Sequence, residues 1–160
     1  MDTFQLSPSF GQDPVHIAAA IIGSAPSAQL EAQQPSQPRG KVLILEDDVV
    51  QLRLLEEHLR AIGFEIVAAG TLAQARQELT KQPLQLAILD VQLPDGSGFE
   101  LCEQIDSEPA YAGLPVVVLS SLRDPAIVRQ TRAAGGRYFL SKPYDPNVLL
   151  AIIERALSGY

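Results

Sequence analysis

From Lys41 onward, short apolar stretches alternate with longer stretches of helical periodicity, and this alternation limits the fold more than any other feature of the chain. The strand candidates are 41–46, 64–69, 84–90, 115–120 and 137–141. Between them, apolar side chains recur every three or four residues, which is the period of an amphipathic helix. Five β–α units in series predict an α/β fold in which helices cover both faces of a parallel sheet.

The ends of the predicted helices carry local signals of their own. In the first helix, apolar residues from Leu52 to Ile62 keep the helical spacing, and Gly63 follows as a stop signal. Each of the other helices opens with a capping pattern: Thr71-x-x-Gln74, Ser97-x-x-Glu100, Asp124-Pro125 and Asp145-Pro146. These signals predict five helices after the five strands.

Composition excludes several classes of protein. The chain has a net charge of −7 and no local run of Lys and Arg, so we predict no direct contact with nucleic acid. Its single cysteine, Cys102, cannot form an internal disulfide and fits a reducing compartment. We interpret Cys102 as a small buried apolar residue on a helix.

The first forty residues differ in composition from the rest. Residues 1–40 are rich in Pro, Gln, Ser and Ala, and they are predicted to form a disordered tail, with a docking peptide as the alternative. The apolar stretch Val15 to Ile22 is far shorter than the roughly 20 residues of a membrane span. A secretory signal would have Lys or Arg before its apolar stretch, and none precedes Val15. We therefore predict a cytoplasmic protein without membrane association.

Four of the predicted strands end on polar residues that carry chemistry. Glu46 and Asp47 follow the first strand, and Asp90, Ser120 and Lys142 end the third, fourth and fifth. Because ligands of open parallel sheets bind beyond the carboxyl ends of the strands, these side chains are expected in one pocket. Three adjacent carboxylates favour a bound cation, and oxygen ligands suit Mg²⁺. A carboxylate can also act as a nucleophile and form an acyl phosphate.

These residues lie in four motifs of a known family. The motifs are Ile44-Leu45-Glu46-Asp47-Asp48, Leu89 to Gly98, Val118-Leu119-Ser120-Ser121 and Ser141-Lys142-Pro143-Tyr144. Together they resemble the receiver domain of bacterial two-component response regulators, over about 41–158. The resemblance implies a doubly wound, flavodoxin-like sheet with strand order 2-1-3-4-5 and five helices. Because the chain stops at Tyr160, we expect a stand-alone receiver domain over residues 41–160, with a fragment of a longer regulator as the alternative.

The resemblance assigns the acceptor and the metal ligands. Asp90 matches the phosphoacceptor of the family. Glu46 and Asp47 match the acidic pair that holds Mg²⁺ together with Asp90, and Gln92 matches the residue whose backbone carbonyl completes the metal shell. Mg²⁺ is the expected cofactor.

The resemblance also assigns the residues that respond to phosphorylation. Ser120 matches the switch hydroxyl, Lys142 the lysine that contacts the phosphoryl group, and Phe139 the aromatic switch position, where tyrosine is common. Pro143 matches a proline whose preceding peptide bond is usually cis. Ser121 departs from the family pattern, in which alanine often follows the switch hydroxyl, and we expect it to alter phosphorylation and dephosphorylation rates.

The implied function is a phosphoryl-accepting switch, with a histidine kinase or a histidine phosphotransfer protein as the donor. Such a domain is not a general enzyme, since it catalyses only its own phosphorylation and autodephosphorylation. A downstream protein is expected to bind the face formed by helix 4, strand 5 and helix 5, and homodimerisation is a further option. The unusual Gly135-Gly136-Arg137 segment lies where the family usually has acidic residues, so it bears on this partner surface.

Two alternatives remain. An aspartyl-phosphate-forming phosphatase of the haloacid dehalogenase type would need an Asp-x-Asp motif at the end of the first strand, whereas the chain has Glu46-Asp47-Asp48 there. A receiver-like interaction module that works without phosphorylation would keep the acidic pocket unused.

Overall fold

A computed structural model describes residues 37–159 of the chain. In this part of the chain, five strands form one sheet; they are β1 Lys41–Leu45, β2 Glu65–Ala69, β3 Leu86–Asp90, β4 Val116–Ser120 and β5 Tyr138–Ser141. Five α-helices alternate with them over the same residues: α1 Val49–Ala61, α2 Leu72–Lys81, α3 Gly98–Ser107, α4 Ala126–Ala133 and α5 Pro146–Leu157. Almost all of the predicted tail lies outside the described residues.

The sheet has the order β2-β1-β3-β4-β5, and every neighbouring pair is parallel. This order confirms the predicted flavodoxin-like, doubly wound fold. The predicted strands begin up to two residues early, since β3 was expected from residue 84 and starts at Leu86. Strand β1 ends at Leu45, so Glu46 lies just beyond it.

Alternate residues of the central strands face two separate apolar cores. One core lies between the sheet and helices α2, α3 and α4; it contains Leu43, Leu89, Val118, Leu101 and Ile127 among others. The opposite core lies between the sheet and helices α1 and α5; it contains Ile44, Ile88, Leu119, Leu55 and Ile153 among others. Because β1, β3 and β4 are apolar on both faces, they can occupy the centre of a sheet that is covered on both sides.

The predicted helix signals act largely as expected. Gly63 ends the turn after α1 with a φ of 94°, and Ser97 forms a complete capping box with Glu100. Helix α4 begins at Ala126, one residue later than predicted, although Asp124 still accepts a hydrogen bond from the Ala126 N–H at 2.7 Å. Cys102 is fully buried on α3, as predicted, and burial raises the pKa of its thiol to about 12.

Two small elements were not predicted. An antiparallel hairpin pairs Gln92–Leu93 with Gly96–Ser97, and a 3-10 turn covers Pro109–Tyr111. Two-residue strands are too short to produce a recognisable alternation of apolar and polar residues. Within residues 37–159, no helix combines the length and apolar character that crossing a membrane requires.

Candidate functional site

The carboxyl edge of the sheet brings the predicted site residues to neighbouring strand ends. Asp90 ends β3 and Ser120 ends β4. Glu46 extends β1 by one ladder bond, since its N–H donates to the Ala69 carbonyl at 3.0 Å. Lys142 likewise extends β5, with its N–H donating to the Ser120 carbonyl at 2.8 Å. Continuation of the backbone ladder therefore sets the positions of Glu46 and Lys142.

Three carboxylates meet at this edge. One oxygen from each of Glu46, Asp47 and Asp90 lies within 4.8 Å of the other two. Glu46 is 3% exposed and Asp90 is 7% exposed, whereas Asp47 is open to solvent. Two buried carboxylates beside an exposed one can hold a hard divalent cation such as Mg²⁺ and leave room for water on the open side. The donor set therefore fits the predicted cofactor.

Lys142 supplies a positive charge inside this cluster. Its ammonium forms a salt bridge with Glu46 and lies 3.2 Å from an Asp90 carboxylate oxygen. Burial lowers the pKa of Lys142, but the hydrogen bonds and charges of Glu46 and Asp90 raise it more, so the side chain stays protonated. Burial raises the pKa of Glu46 and outweighs the contacts with Lys142, which lower it. The lysine therefore offsets part of the repulsion among the carboxylates.

Ser120 lies beside Asp90 in the sheet but is bonded elsewhere. Its side chain is fully buried, and its hydroxyl oxygen accepts a hydrogen bond from the Leu122 N–H at 3.1 Å. Asp90 is paired in register with Leu119, the residue before Ser120. The Ser120 hydroxyl thus lies on the strand next to Asp90, and it accepts its hydrogen bond from the loop that follows β4.

Phe139 and Pro143 lie on the β5 side of the site. Phe139 is half-buried and lines a cleft with Leu122, Ile127 and Val128 between β5 and α4. The peptide bond between Lys142 and Pro143 is cis. The cleft thus lies between the predicted aromatic switch position and the loop that follows Ser120.

Gln92 connects two loops at the edge of the site. Its N–H lies 3.4 Å from an Asp90 carboxylate oxygen, and its side-chain oxygen accepts a hydrogen bond from the Ser121 hydroxyl at 3.2 Å. The sequence assigned a role to the backbone of Gln92 but none to its side chain. No sequence pattern signals this bond, because the partners are 29 positions apart and meet only in the folded sheet.

Asp95 and Gly98, which follow Asp90 in the chain, have structural roles near the site. Asp95, interpreted from sequence as a turn residue, accepts hydrogen bonds from the Leu72 and Ala73 N–H groups at 2.9 and 3.1 Å. These bonds to the start of α2 lower the pKa of Asp95. A Cβ added at Gly98 would lie 1.9 Å from the Asp90 carbonyl oxygen, so only glycine permits this approach.

Comparison with known proteins identifies the family. The family model described as "Response regulator receiver domain" matches residues 42–154, which include the whole site. The chain is 38% identical to the transcriptional regulatory protein GltR of Pseudomonas aeruginosa over 119 residues, which are 74% of this chain and 49% of GltR. It is 30% identical to a probable chemotaxis protein CheY of Rhizobium etli over 115 residues, which are 71% of this chain and 89% of CheY.

Solved structures agree with this assignment. A putative response regulator from Chloroflexus aurantiacus superposes with a TM-score of 0.72 at 30% identity, covering 76% of this chain and 99% of that one. The receiver domain of a histidine kinase from Syntrophus aciditrophicus gives a TM-score of 0.70 at 31% identity, covering 75% and 91%. This chain spans about half the length of the curated relative GltR and 16% of RcaC from Microchaete diplosiphon. Family match, sequence identity and fold agree, and the chain belongs to the response regulator receiver domains of two-component signalling systems.

Proposed function

We propose that the chain is a phosphorelay switch that receives a phosphoryl group on Asp90 from a histidine kinase or a histidine phosphotransfer protein. The observation that carries this proposal is the environment of Asp90, which is buried, 3.2 Å from the Lys142 ammonium and grouped with two further carboxylates. We propose residues 41–160 as the folded receiver unit, acting in the cytoplasm. Like other members of its family, it is a signalling switch and not a classical enzyme.

The proposed transfer is a single displacement at phosphorus. An Asp90 carboxylate oxygen forms a bond to the phosphorus, and the bond between phosphorus and the donor's imidazole nitrogen breaks, leaving the electron pair on that nitrogen. Lys142 offsets negative charge on the transferred oxygens. Glu46, Asp47, Asp90 and the Gln92 backbone carbonyl would hold Mg²⁺, which when bound neutralises phosphoryl charge. Water attack on the acyl phosphate then reverses the modification.

The proposed response begins at Ser120. An aspartyl phosphate beside β4 offers charged acceptors, and the Ser120 hydroxyl can donate to them once it releases the Leu122 N–H. Movement of this loop opens space next to the cleft that Phe139 lines, and the ring follows. The α4–β5–α5 face then changes shape, and a downstream protein recognises the change. This is a two-state equilibrium shifted by a local change in charge and packing.

The test is phosphorylation by a small-molecule donor. Purified protein is incubated with acetyl phosphate and MgCl₂, and intact mass spectrometry measures phosphoryl adducts. We expect one adduct on the wild type, none on Asp90→Asn, and one on the control Asp95→Asn, since Asp95 lies in the same loop but caps α2.

Each other result would contradict the proposal in a different way. An adduct retained by Asp90→Asn would mean that another residue is the acceptor. No adduct on the wild type, from acetyl phosphate or from a phosphorylated histidine phosphotransfer protein, would favour an interaction module that works without phosphorylation. Steady hydrolysis of many phosphate esters per protein would favour the phosphatase alternative.

A further inference from the structure

A cleft of about 540 Å³ opens between α1 and the loops that follow β4 and β5. Leu54 of α1, Tyr144 and Pro146 give it a largely apolar wall. Lys142 lines the same cleft, and its ammonium lies 3.2 Å from an Asp90 carboxylate oxygen. We call this space the α1-side cleft. Its volume lies within the range of pockets that bind small ligands, so it has room for a small molecule beside Asp90.

The α1-side cleft differs in charge from the carboxylate cluster next to it. Three carboxylates meet around Asp90, whereas no Asp or Glu lines the cleft. Its two permanently charged side chains are those of Lys142 and Arg123. The Lys142 ammonium is already paired with Glu46 and Asp90. Arg123 is exposed, and within residues 37–159 it takes part in no salt bridge, so its guanidinium is available to an anion in the cleft.

Transfer of a phosphoryl group needs room for the part of the donor that departs. The attacking Asp90 oxygen and the leaving group lie on opposite sides of phosphorus, so the leaving group points away from Asp90. The α1-side cleft offers such a space beside Lys142. The cleft that Phe139 lines also borders Lys142, but Asp124 is part of its wall and would repel an anion. An anionic leaving group therefore fits the α1-side cleft better.

Donors differ in the charge that their leaving group acquires. With acetyl phosphate, the bond between phosphorus and the acyl oxygen breaks, the electron pair stays on that oxygen, and acetate departs as an anion. With phosphoramidate, the bond between phosphorus and an already protonated nitrogen breaks, the electron pair stays on nitrogen, and neutral ammonia departs. Phosphohistidine resembles phosphoramidate, since its protonated ring departs as neutral imidazole. A guanidinium therefore stabilises the departure of a carboxylate more than that of an amine.

We propose that the α1-side cleft receives the leaving group of the phosphoryl donor and that Arg123 selects donors whose leaving group departs as a carboxylate. The substrate class is then an acyl phosphate with a small organic group, whose carbon atoms would lie against Leu54 and Tyr144. The inference rests on the proposed function, since it takes Asp90 as the acceptor. It adds a route of phosphorylation that Arg123 supports and that transfer from a histidine does not share.

The test compares two small-molecule donors that leave the same phosphoryl group on the protein. Acetyl phosphate or phosphoramidate is added with MgCl₂, and intact mass spectrometry gives the initial rate of adduct formation. Each variant is compared with the wild type on the same donor, so the intrinsic reactivity of the donors cancels. We expect Arg123→Gln to slow transfer from acetyl phosphate about tenfold, as loss of one hydrogen bond to a charged group does, and transfer from phosphoramidate less than about twofold.

Two further arginine variants show whether the charge at this position is responsible. Arg123→Lys keeps the charge but not the planar guanidinium, so it should recover most of the rate with acetyl phosphate. Arg129→Gln removes the same charge from an exposed arginine of α4 that has no salt bridge within the described residues, and it should change neither rate. Because Arg123 is exposed, added salt should reduce the difference between the wild type and Arg123→Gln.

A pair of apolar residues tests the cleft itself. Leu54 lines it and is 52% exposed, while Val148 of α5 is 46% exposed and does not line it. Leu54→Glu places a carboxylate in the path of the departing acetate, so it should slow transfer from acetyl phosphate more than transfer from phosphoramidate. Val148→Glu adds the same charge away from the cleft and should affect neither donor.

The other outcomes each overturn the proposal. Equal slowing of both donors by Arg123→Gln would mean that Arg123 serves the phosphoryl oxygens, and no slowing of either would mean that it serves neither group. An equal effect of Arg129→Gln or Val148→Glu would indicate a general charge effect. Wild type that gains no adduct from either donor would overturn the proposed function as well, whereas an adduct that requires Asp90 but shows no dependence on Arg123 would overturn this inference alone.

Discussion

Strands β3 and β5 both lead to a site residue, yet their surroundings differ. All five residues of β3 are buried, and β3 pairs with β1 on one side and β4 on the other. Strand β5 lies at the edge of the sheet, pairs only with β4, and has three half-buried residues and one exposed residue. The acceptor Asp90 thus ends a fully buried central strand, while Lys142 follows an edge strand that has less buried contact to hold it in place.

The loops that follow β3 and β4 also differ from each other. After β3, Asp95 caps helix α2 and Gly98 lies against the Asp90 backbone. After β4, the buried Ser120 hydroxyl is held by a single backbone N–H of its own loop. Chemistry that needs fixed geometry and a response that needs displacement are therefore assigned to different strands. The predictions that follow test this division, beginning with the largest expected effect.

Gly98 packs directly against the backbone of Asp90 at the end of β3. We expect Gly98→Ala to lower the free energy of unfolding by about 4 kcal/mol or more, because the new methyl would overlap the Asp90 carbonyl and force two backbone segments apart. Gly70→Ala is the control, since its Cβ would meet nothing closer than 3.7 Å. Urea denaturation measures both variants. Equal stability of the two would mean that the β3 loop is not rigidly packed.

A matched pair of leucines compares the two strands directly. Leu89 on β3 is fully buried, and Leu140 on β5 is half-buried. We expect Leu89→Ala to cost roughly 3 kcal/mol and Leu140→Ala roughly 1–2 kcal/mol, since the apolar area and the cavity are smaller at the edge. Urea denaturation again provides the values. A larger loss at Leu140 would reverse the assignment of the rigid and the responsive strand.

The Ser121–Gln92 hydrogen bond joins the loops beyond β3 and β4 at the edge of the site. If it restricts access of water to phosphorylated Asp90, Ser121→Ala should speed loss of the phosphoryl group. One exposed hydrogen bond contributes about 0.5–1 kcal/mol, which corresponds to a roughly two- to fivefold change in rate. The decay of the mass adduct after removal of acetyl phosphate measures it.

Two further variants show whether the bond itself is responsible. Gln92→Met keeps the bulk of the side chain but not its acceptor, so it should match Ser121→Ala. The double variant should then decay no faster than either single variant, because only one bond is lost. Additive effects would show that the two side chains act independently of each other.

Much of the fold could be predicted from the order of residues. The hydrophobic runs of β1, β3 and β4 are continuous because both faces of these strands are buried, and such runs stand out in a sequence. The residues at the strand ends followed from where these runs stop, and the strand order followed from the family motifs. The start of α4 and the short hairpin did not, since tertiary contacts decide element ends and two-residue strands.

The sequence by itself determined which chemical groups this protein has and at which strand ends they lie. Periodicity and capping are local properties, so the chain specifies them without reference to distant contacts. Only the tertiary structure decided that Gln92 meets Ser121, that Asp95 caps α2 and that the Glu46 and Asp90 carboxylates share one lysine. These outcomes depend on contacts between residues far apart in the chain, which form only when the sheet is assembled.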